Sequence, residues 1–218
     1  AELILPQLCT QLGVDQIICH DEHAPDEQAL VQRLATALPD NIRLILLQSN
    51  ALFAHEDLPF SRDKIPQVFT RFRNQVEKYP PAVKALAAPE RLPGWPAGAS
   101  AFSAGQPSMT DLGLLPAGNE PRSSLPYVGG ETPAKKWLND YLWISQAVRQ
   151  YKSTRNQLQG HYFSSKLSAA LAHGCLSPRR IVHELQHHEQ SLGANESTYW
   201  LWFELLWREF FRLNLGLH

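Results

Sequence analysis

The chain carries the run Tyr199-Trp-Leu-Trp-Phe-Glu-Leu-Leu-Trp-Arg-Glu-Phe-Phe-Arg212 near its C-terminal end. The spacing predicts a helix, one face of which presents two aromatic rings, an acid and a base. The residues on that face are Glu204, Trp207, Arg208 and Phe211. Another side can anchor the helix in a core through Phe203, Leu206 and Phe210. The first face suits a flat, partly charged ligand, although a buried helix with internally paired charges would give the same pattern.

Composition limits the class of protein. A chain of 218 residues can form one large or two small domains. A net charge of −1 gives no overall basic field for nucleic acid, but residues 151–218 contain more basic than acidic side chains. Three cysteines without a CxxC spacing argue against a disulfide framework and for a reducing compartment, so we expect a cytoplasmic protein. No apolar run predicts a membrane span or a signal peptide.

Residues 1–78 alternate between helical and strand patterns. Short strands are predicted at Gln16–Cys19 and Ile42–Leu47. Helices are predicted at Pro25–Leu38 and at about residues 65–78. Such alternation is typical of a parallel sheet covered by helices. Two strands are few for a doubly wound sheet, so we expect a partial α/β domain.

The rest of the chain has two different patterns. Residues 79–130 are rich in proline and glycine with little periodicity, which indicates a linker. Residues 131–218 are helical throughout, which predicts an all-α domain. Its helices are predicted at Ala134–Arg149, at Ser164–Ala172, from Ser177-Pro178 onward and at Ser197–Leu213.

A group of hydroxyls and cations precedes one of these helices. Tyr151-Lys-Ser-Thr-Arg155 is followed by Ser164-Ser-Lys-Leu-Ser168. Serine hydroxyls and free amides at a helix start can hold a phosphate, and Lys166 adds positive charge. Polar residues also cap helices without binding anything, so this pattern alone leaves both interpretations open.

Two further patterns suggest competing chemistry. His183-Glu-Leu-Gln-His187 satisfies H-E-x-x-H, which on a helix can bind zinc with Glu184 as general base, as in metalloproteases. Acidic residues, among them Glu22, follow the strand that ends near Cys19. The crevice beyond a strand's carboxyl end is a common ligand position, but a solvated acidic loop fits equally well.

Taken in order, these segments resemble the photolyase/cryptochrome family, most closely its DASH branch. The matching segments are Gly129-Gly-Glu131, Tyr151-Lys-Ser-Thr-Arg-Asn156, Ser164-Ser-Lys-Leu-Ser168, His173-Gly-Cys-Leu-Ser-Pro-Arg179 and Ser197-Thr-Tyr-Trp-Leu-Trp-Phe-Glu-Leu-Leu-Trp-Arg-Glu-Phe-Phe-Arg212. Asp57-Leu-Pro-Phe60 and the helix after it also look like the family's N-terminal domain. The pair Ala169-Ala170 departs from a Pro-Trp pair common in the DASH branch.

The resemblance implies a fold and a set of ligands. The fold class is α/β plus all-α, with a partial Rossmann-like antenna domain at 1–78 and part of a helical FAD-binding domain at 131–218. The residues implied to bind FAD are Tyr151, Ser164, Ser165, Lys166, Leu167, Ser168, Glu204 and Arg208. Glu22 is implied to contact a 5,10-methenyltetrahydrofolate antenna. Those implied to meet DNA are Arg155, Glu204, Trp207 and Arg208, with Glu204 and Trp207 in the catalytic roles.

The implied activity is that of a deoxyribodipyrimidine photo-lyase, a carbon–carbon lyase. Blue light would drive an electron from reduced flavin to a cyclobutane pyrimidine dimer in UV-damaged, single-stranded DNA. A cryptochrome photoreceptor or nucleic-acid-binding module without repair shares the fold and stays open as an alternative, with the zinc metalloprotease a weaker one. Family members extend beyond both ends of the matched region. We therefore expect an incomplete portion that is inactive by itself, from a protein that is monomeric when complete.

Overall fold

The computed structural model describes residues 1–95, 99, 107–115, 118, 120–125 and 128–216. The chain divides into two compact units. Unit 1 comprises Ala1–Leu47 and Ala87–Ser123, and unit 2 comprises Gln48–Leu86 and Ser124–His218. The predicted linker at 79–130 lies partly outside the described residues, and the predicted domain boundaries stay a prediction.

Unit 1 is built on two parallel strands connected through a helix. Its elements are α1 (Leu5–Leu12), β1 (Gln16–His20), α2 (Pro25–Ala37) and β2 (Arg43–Leu47). The strands pair in register from Gln16↔Arg43 to His20↔Leu47. Asp26 in the first turn of α2 is favourable to the helix dipole. Both predicted strands are confirmed.

The sheet of unit 1 leaves apolar side chains exposed. The apolar run at Gln16–Cys19 indicates a buried strand, yet Ile18 is 60% exposed. Within the described residues, β2 is the one strand paired with β1, and Leu46 and Leu47 of β2 are also exposed.

Unit 2 is helical, and its core contains residues from most of its helices. The helices are α3 (Phe69–Lys78), α4 (Glu131–Asn139), α5 (Tyr151–Thr154), α6 (Ser168–Ala172), α7 (Pro178–Leu192) and α8 (Glu196–Leu215). A π-helical turn at Asp140–Ile144 follows α4 directly. Together with unit 1, this arrangement confirms the predicted fold class, α/β plus all-α.

Three predicted helix boundaries were wrong. The helix predicted at Ala134–Arg149 is interrupted, because Gln146 adopts a left-handed backbone (φ +51°) after the π-helical turn. The helix predicted at Ser164–Ala172 begins only at Ser168, because Lys166 is also left-handed (φ +50°) and residues 164–167 form a turn. Helix α3 begins at Phe69 rather than near residue 65.

Helix α8 begins where the sequence predicts, within one residue, and has a complete N-terminal cap. The Asn195 side chain accepts a hydrogen bond from the Thr198 amide at 2.9 Å. The Thr198 hydroxyl interacts in turn with the Asn195 amide at 3.1 Å. This reciprocal pair satisfies two amides that the helix itself leaves unpaired. It fixes the residue at which α8 starts.

A buried segment at residues 50–53 is held by arginines of α7 and α8. Arg208 donates to the Asn50 carbonyl oxygen at 3.1 Å and to the Asn50 side-chain oxygen at 2.8 Å. Arg179 donates to the Ala51 carbonyl oxygen at 3.0 Å. Ala51 is 1% exposed, and a buried carbonyl needs such a partner. The hydrogen bonds from these two arginines hold residues 50–53 against α7 and α8 within unit 2.

Glu209 completes this anchorage from inside the core. Its side chain is 0% exposed and accepts a hydrogen bond from the Leu52 amide at 3.0 Å. Arg212 forms an ion pair with the other carboxylate oxygen at 3.7 Å. Burial raises the pKa of Glu209, while the charge of Arg212 and the bond from Leu52 act in the opposite direction.

We expect Glu209→Ala to lower the free energy of unfolding by about 3 kcal/mol, because it leaves the Leu52 amide without an acceptor and Arg212 without its partner. Glu209→Gln keeps an oxygen for the Leu52 amide and should cost less than half as much. Urea unfolding of the two variants measures the difference. Equal losses would show that the hydrogen bond to Leu52 contributes little.

Candidate functional site

The turn at residues 164–168 is fixed by side chains outside it. The Trp137 indole donates to the Ser165 carbonyl oxygen at 2.7 Å, and the Thr154 hydroxyl donates to the Phe163 carbonyl oxygen at 2.8 Å. Leu167 is 3% exposed and anchors the turn in the core. Folding therefore sets the positions of the three serines.

The Lys166 side chain hydrogen-bonds the backbone of the loop that precedes the turn. Its ammonium group donates to the carbonyl oxygens of Gly160, at 3.1 Å, and of His161, and lies 3.9 Å from the centre of the Phe163 ring. Burial lowers the pKa of Lys166. In this arrangement Lys166 stabilises the loop before the turn, and its predicted contact with a phosphate stays a prediction.

The serine hydroxyls differ in their use. The Ser165 side chain acts on the Tyr151 hydroxyl through a hydrogen bond. The hydroxyls of Ser164 and Ser168 make no hydrogen bond within the residues that the structure describes. Both are at least partly accessible to solvent. Hydroxyl groups in this position can donate hydrogen bonds to a phosphate.

Tyr151, Arg155 and Glu204 meet beside this turn. Arg155 forms an ion pair and hydrogen bond with the Glu204 carboxylate, and both side chains are partly buried. Burial raises the pKa of the Tyr151 hydroxyl, and the nearby Glu204 charge adds to this effect. Arg155 and Ser165 act in the opposite direction. The structure thus brings residues from α5, α8 and the serine turn into one cluster, and the roles in flavin and DNA binding that the resemblance implies for them stay predictions.

Trp207 and Arg208 lie further along α8 in different surroundings. The Trp207 ring stacks on Phe69, with centroids 3.5 Å apart and planes 11° apart, and also lies beside Phe211 at 5.3 Å. Trp207 is half-buried. Arg208 contacts Asn50, as described above. The predicted DNA contact of Trp207 and the DNA and cofactor contacts of Arg208 stay predictions.

Glu22 belongs to unit 1. It lies in the loop between β1 and α2, past the carboxyl end of β1, and is half-buried. The Gln28 side-chain amide donates to the backbone carbonyl oxygen of Glu22 at 3.5 Å. This hydrogen bond does not involve the Glu22 carboxylate. The position fits the predicted crevice beyond a parallel strand.

Several residues that shape the site were not predicted from the sequence. Trp137 was not among the candidate site residues, although its indole donates to the Ser165 carbonyl oxygen and so holds the serine turn. Trp200, Lys152 and Glu196 were not singled out either. The sequence did indicate two of them. Glu196 and Trp200 share a helix face with Glu204, because the three residues are spaced four apart.

The H-E-x-x-H pattern on α7 does not form a metal site in the structure. Glu184 is paired with Arg180 at 2.7 Å, and His183 is exposed. Throughout the described ranges, no three His, Cys, Asp or Glu side chains are grouped as a metal ion requires. The zinc alternative therefore has no structural support.

A cavity of about 790 Å³ lies between α4 and α6. Its walls are mainly apolar and include Val128, Trp137, Ile144, Ala169 and Ala170. The two alanines stand where the resemblance expects Pro-Trp, and they present only methyl groups to the space.

In the part of the chain that is described, no helix combines the length and apolar character needed to cross a membrane.

Comparison with known proteins identifies the family. Residues 1–92 match the family model described as DNA photolyase. A cryptochrome DASH from Gloeobacter violaceus is 38% identical over 219 residues, covering 100% of this chain and 43% of that protein. The chain belongs to the photolyase/cryptochrome family. A cryptochrome DASH from Danio rerio is 37% identical, covering 97% of this chain and 41% of its own length.

Solved structures of this family have the same fold. The crystal structure of a cryptochrome from Synechocystis sp. PCC6803 matches with a TM-score of 0.83 and 34% identity, covering 99% of this chain and 44% of that one. A bacterial class III photolyase from Agrobacterium tumefaciens matches with a TM-score of 0.68 at 24% identity, which supports the fold alone. The chain spans less than half the length of these relatives.

The buried His188 on α7 gives a prediction about pH. His188 is 0% exposed and lies beside Trp143, with ring centroids 5.3 Å apart. Burial, followed by the charge of Arg149, lowers its pKa from the ordinary value of 6.5. The unfolded chain therefore binds a proton at His188 more readily than the folded chain does. The contribution of His188 to the free energy of unfolding is therefore full above about pH 6.5 and is lost as the pH drops towards the lower pKa of the folded state.

We expect His188→Gln to reduce the acid-induced loss in the free energy of unfolding. Between about pH 6.5 and the lower pKa of the folded state, the reduction should reach up to about 1.4 kcal/mol for each pH unit. Urea unfolding from neutral to mildly acidic pH measures it. His183→Gln on the same helix is the control, because His183 is exposed and lies outside the buried contact between His188 and Trp143. Parallel profiles for wild type and His188→Gln would contradict the prediction.

Proposed function

We propose that this chain belongs to a blue-light-dependent FAD protein that splits cyclobutane pyrimidine dimers in single-stranded DNA. The observation that carries the proposal is the meeting of Tyr151, Arg155, Ser165 and Glu204 in one cluster. These are the residues that the family resemblance assigns to flavin and to DNA. They come from three separate stretches of sequence, so their convergence supports a shared site.

The residues of the serine turn fit FAD. Ser164 and Ser168 would donate hydrogen bonds to its pyrophosphate, and Tyr151 and Leu167 would border it. Reduced FAD, once bound and excited by light, would supply the electron that splits the dimer. The protein's own part is to hold the turn rigid through Trp137 and to keep water from the buried side of the cluster.

Glu204 and Trp207 would receive the DNA lesion. A carboxylate held by Arg155 would hydrogen-bond the polar edge of a flipped pyrimidine. The half-buried Trp207 would contact the lesion with the part of its ring that its stacking on Phe69 leaves accessible. Extruding a base costs least in single-stranded DNA, because no partner strand has to be displaced. Arg155 and Arg208 would add positive charge near the DNA backbone.

Glu22 would contact a 5,10-methenyltetrahydrofolate antenna. Glu22 lies in a loop past the end of a parallel strand, where α/β sheets commonly bind ligands. A carboxylate can accept hydrogen bonds from the amino and ring N–H groups of a pterin.

A second candidate is a photoreceptor or nucleic-acid-binding module without repair activity. The relatives carry the name cryptochrome DASH, and cryptochromes share this fold, so the fold alone cannot separate the two. Illumination does separate them. Binding of dimer-containing DNA without turnover supports the second candidate.

We expect FAD to copurify with the complete product of the gene encoding this chain. Replacing both Ser164 and Ser168 with alanine should weaken FAD binding about tenfold or more, because two hydrogen bonds to an anionic group are removed. Titration with FAD after removal of the bound flavin measures the affinity. A gene product purified under mild conditions without flavin would overturn the proposal.

We expect Glu204→Gln to slow light-driven dimer splitting in an oligothymidylate by about tenfold, since a charged hydrogen bond is worth about 1.5–3 kcal/mol. Recovery of thymine absorbance under blue light measures the rate. Glu56→Gln serves as the control, because Glu56 is an exposed carboxylate of the same unit. An undiminished rate in Glu204→Gln would remove this residue from the chemistry.

A further inference from the structure

One face of α8 is joined to α5 by two ion pairs. Glu196, Trp200 and Glu204 are spaced four residues apart along α8 and share that face. Lys152 and Arg155, three residues apart at α5 and its C-terminal cap, lie opposite. Lys152 forms an ion pair with Glu196, and Arg155 forms one with Glu204.

Trp200 lies between Glu196 and Glu204 on this face of α8, and its ring is near both cations. The Arg155 guanidinium carbon lies 4.7 Å from the centre of its ring, and the Lys152 ammonium lies 5.7 Å from it. Both distances are within the range of a cation–π interaction. The ring is half-buried and packs against Phe203, with centroids 4.7 Å apart. One aromatic ring therefore attracts two cations that come from the neighbouring helix.

The acids and the ring hold the cations in different ways. The Glu196 side chain is 70% exposed, and the Lys152 side chain is 40% exposed. Ion pairs of this kind contribute little to stability and exchange readily. A DNA phosphate could therefore replace Glu196. The packed Trp200 ring cannot be displaced in this way, so its attraction for both cations persists during such an exchange.

We propose that Trp200 is a positioning residue that holds Lys152 and Arg155 ready for phosphates of single-stranded DNA. The inference rests on the proposed function and adds to it a binding strip along α5 and α8. Without the ring, each long cationic side chain would lose the interaction that restricts it. The cations would then be less ordered before DNA arrives, and each would bind its phosphate more weakly.

The test measures binding of an undamaged oligothymidylate by fluorescence anisotropy over a range of salt concentrations. We expect Trp200→Leu to weaken binding about tenfold at low salt. The slope of log affinity against log salt should also become shallower by about 0.7 for each phosphate that the variant no longer neutralises. Trp200→Phe keeps an aromatic ring and should retain most of the affinity. Glu196→Gln removes a competitor for Lys152 and should bind about twofold to threefold more tightly.

Two controls separate positioning from a general effect on the fold. Trp202→Leu removes a half-buried tryptophan of the same helix that packs edge-on against Phe53, and it should leave the salt slope unchanged. In a protein that already carries Lys152→Gln and Arg155→Gln, the further change Trp200→Leu should have almost no effect. That non-additivity is expected only if the ring acts through the two cations.

The outcomes distinguish this inference from the proposed function. If the wild-type chain and its complete gene product fail to bind the oligothymidylate, the proposed function falls and this inference with it. If wild type binds and Trp200→Leu keeps the same affinity and slope, only the role of Trp200 is overturned. A full effect of Trp200→Leu in the variant lacking both cations would also overturn it.

Discussion

The fold of unit 2 depends on a carboxylate placed in its core. Glu209 gives up its hydration entirely, and the cost appears as a raised pKa. The Leu52 amide and Arg212 offset that cost by supplying a donor and an opposite charge. Through its bond to the Leu52 amide, Glu209 ties residues 50–53 to α8.

Helix α8 serves several purposes because its residues point in different directions. Leu201, Leu205 and Glu209 face the core, and Trp207 stacks against Phe69. Glu196, Trp200 and Glu204 face α5. The anchorage at Glu209 fixes the rotation of the helix about its axis. That rotation in turn brings Glu204 to Arg155 and Tyr151, so core packing and the candidate site depend on the same interaction.

Much of this could be predicted from local patterns. Helix α8, the strands of unit 1 and the start of α7 follow from apolar spacing and from caps such as Ser177, all of which are properties of neighbouring residues. The family resemblance singled out Tyr151, Arg155 and Glu204 for flavin and DNA, but the pairing of Arg155 with Glu204 was not predicted. The burial of Glu209 could not be predicted, because its partner at Leu52 is distant in sequence. The left-handed residues Gln146 and Lys166 were also missed, since neither is a residue type that favours that backbone.

The backbone at Lys166 has a consequence for recognition. A lysine in the left-handed region is strained by about 1–2 kcal/mol, and that cost is met by the Trp137 and Thr154 hydrogen bonds and by the lysine's own ammonium. The loop is thus shaped during folding rather than on encounter. If an anion binds there as proposed, it would find the hydroxyls of Ser164 and Ser168 already arranged and would spend little of its interaction energy on ordering the chain.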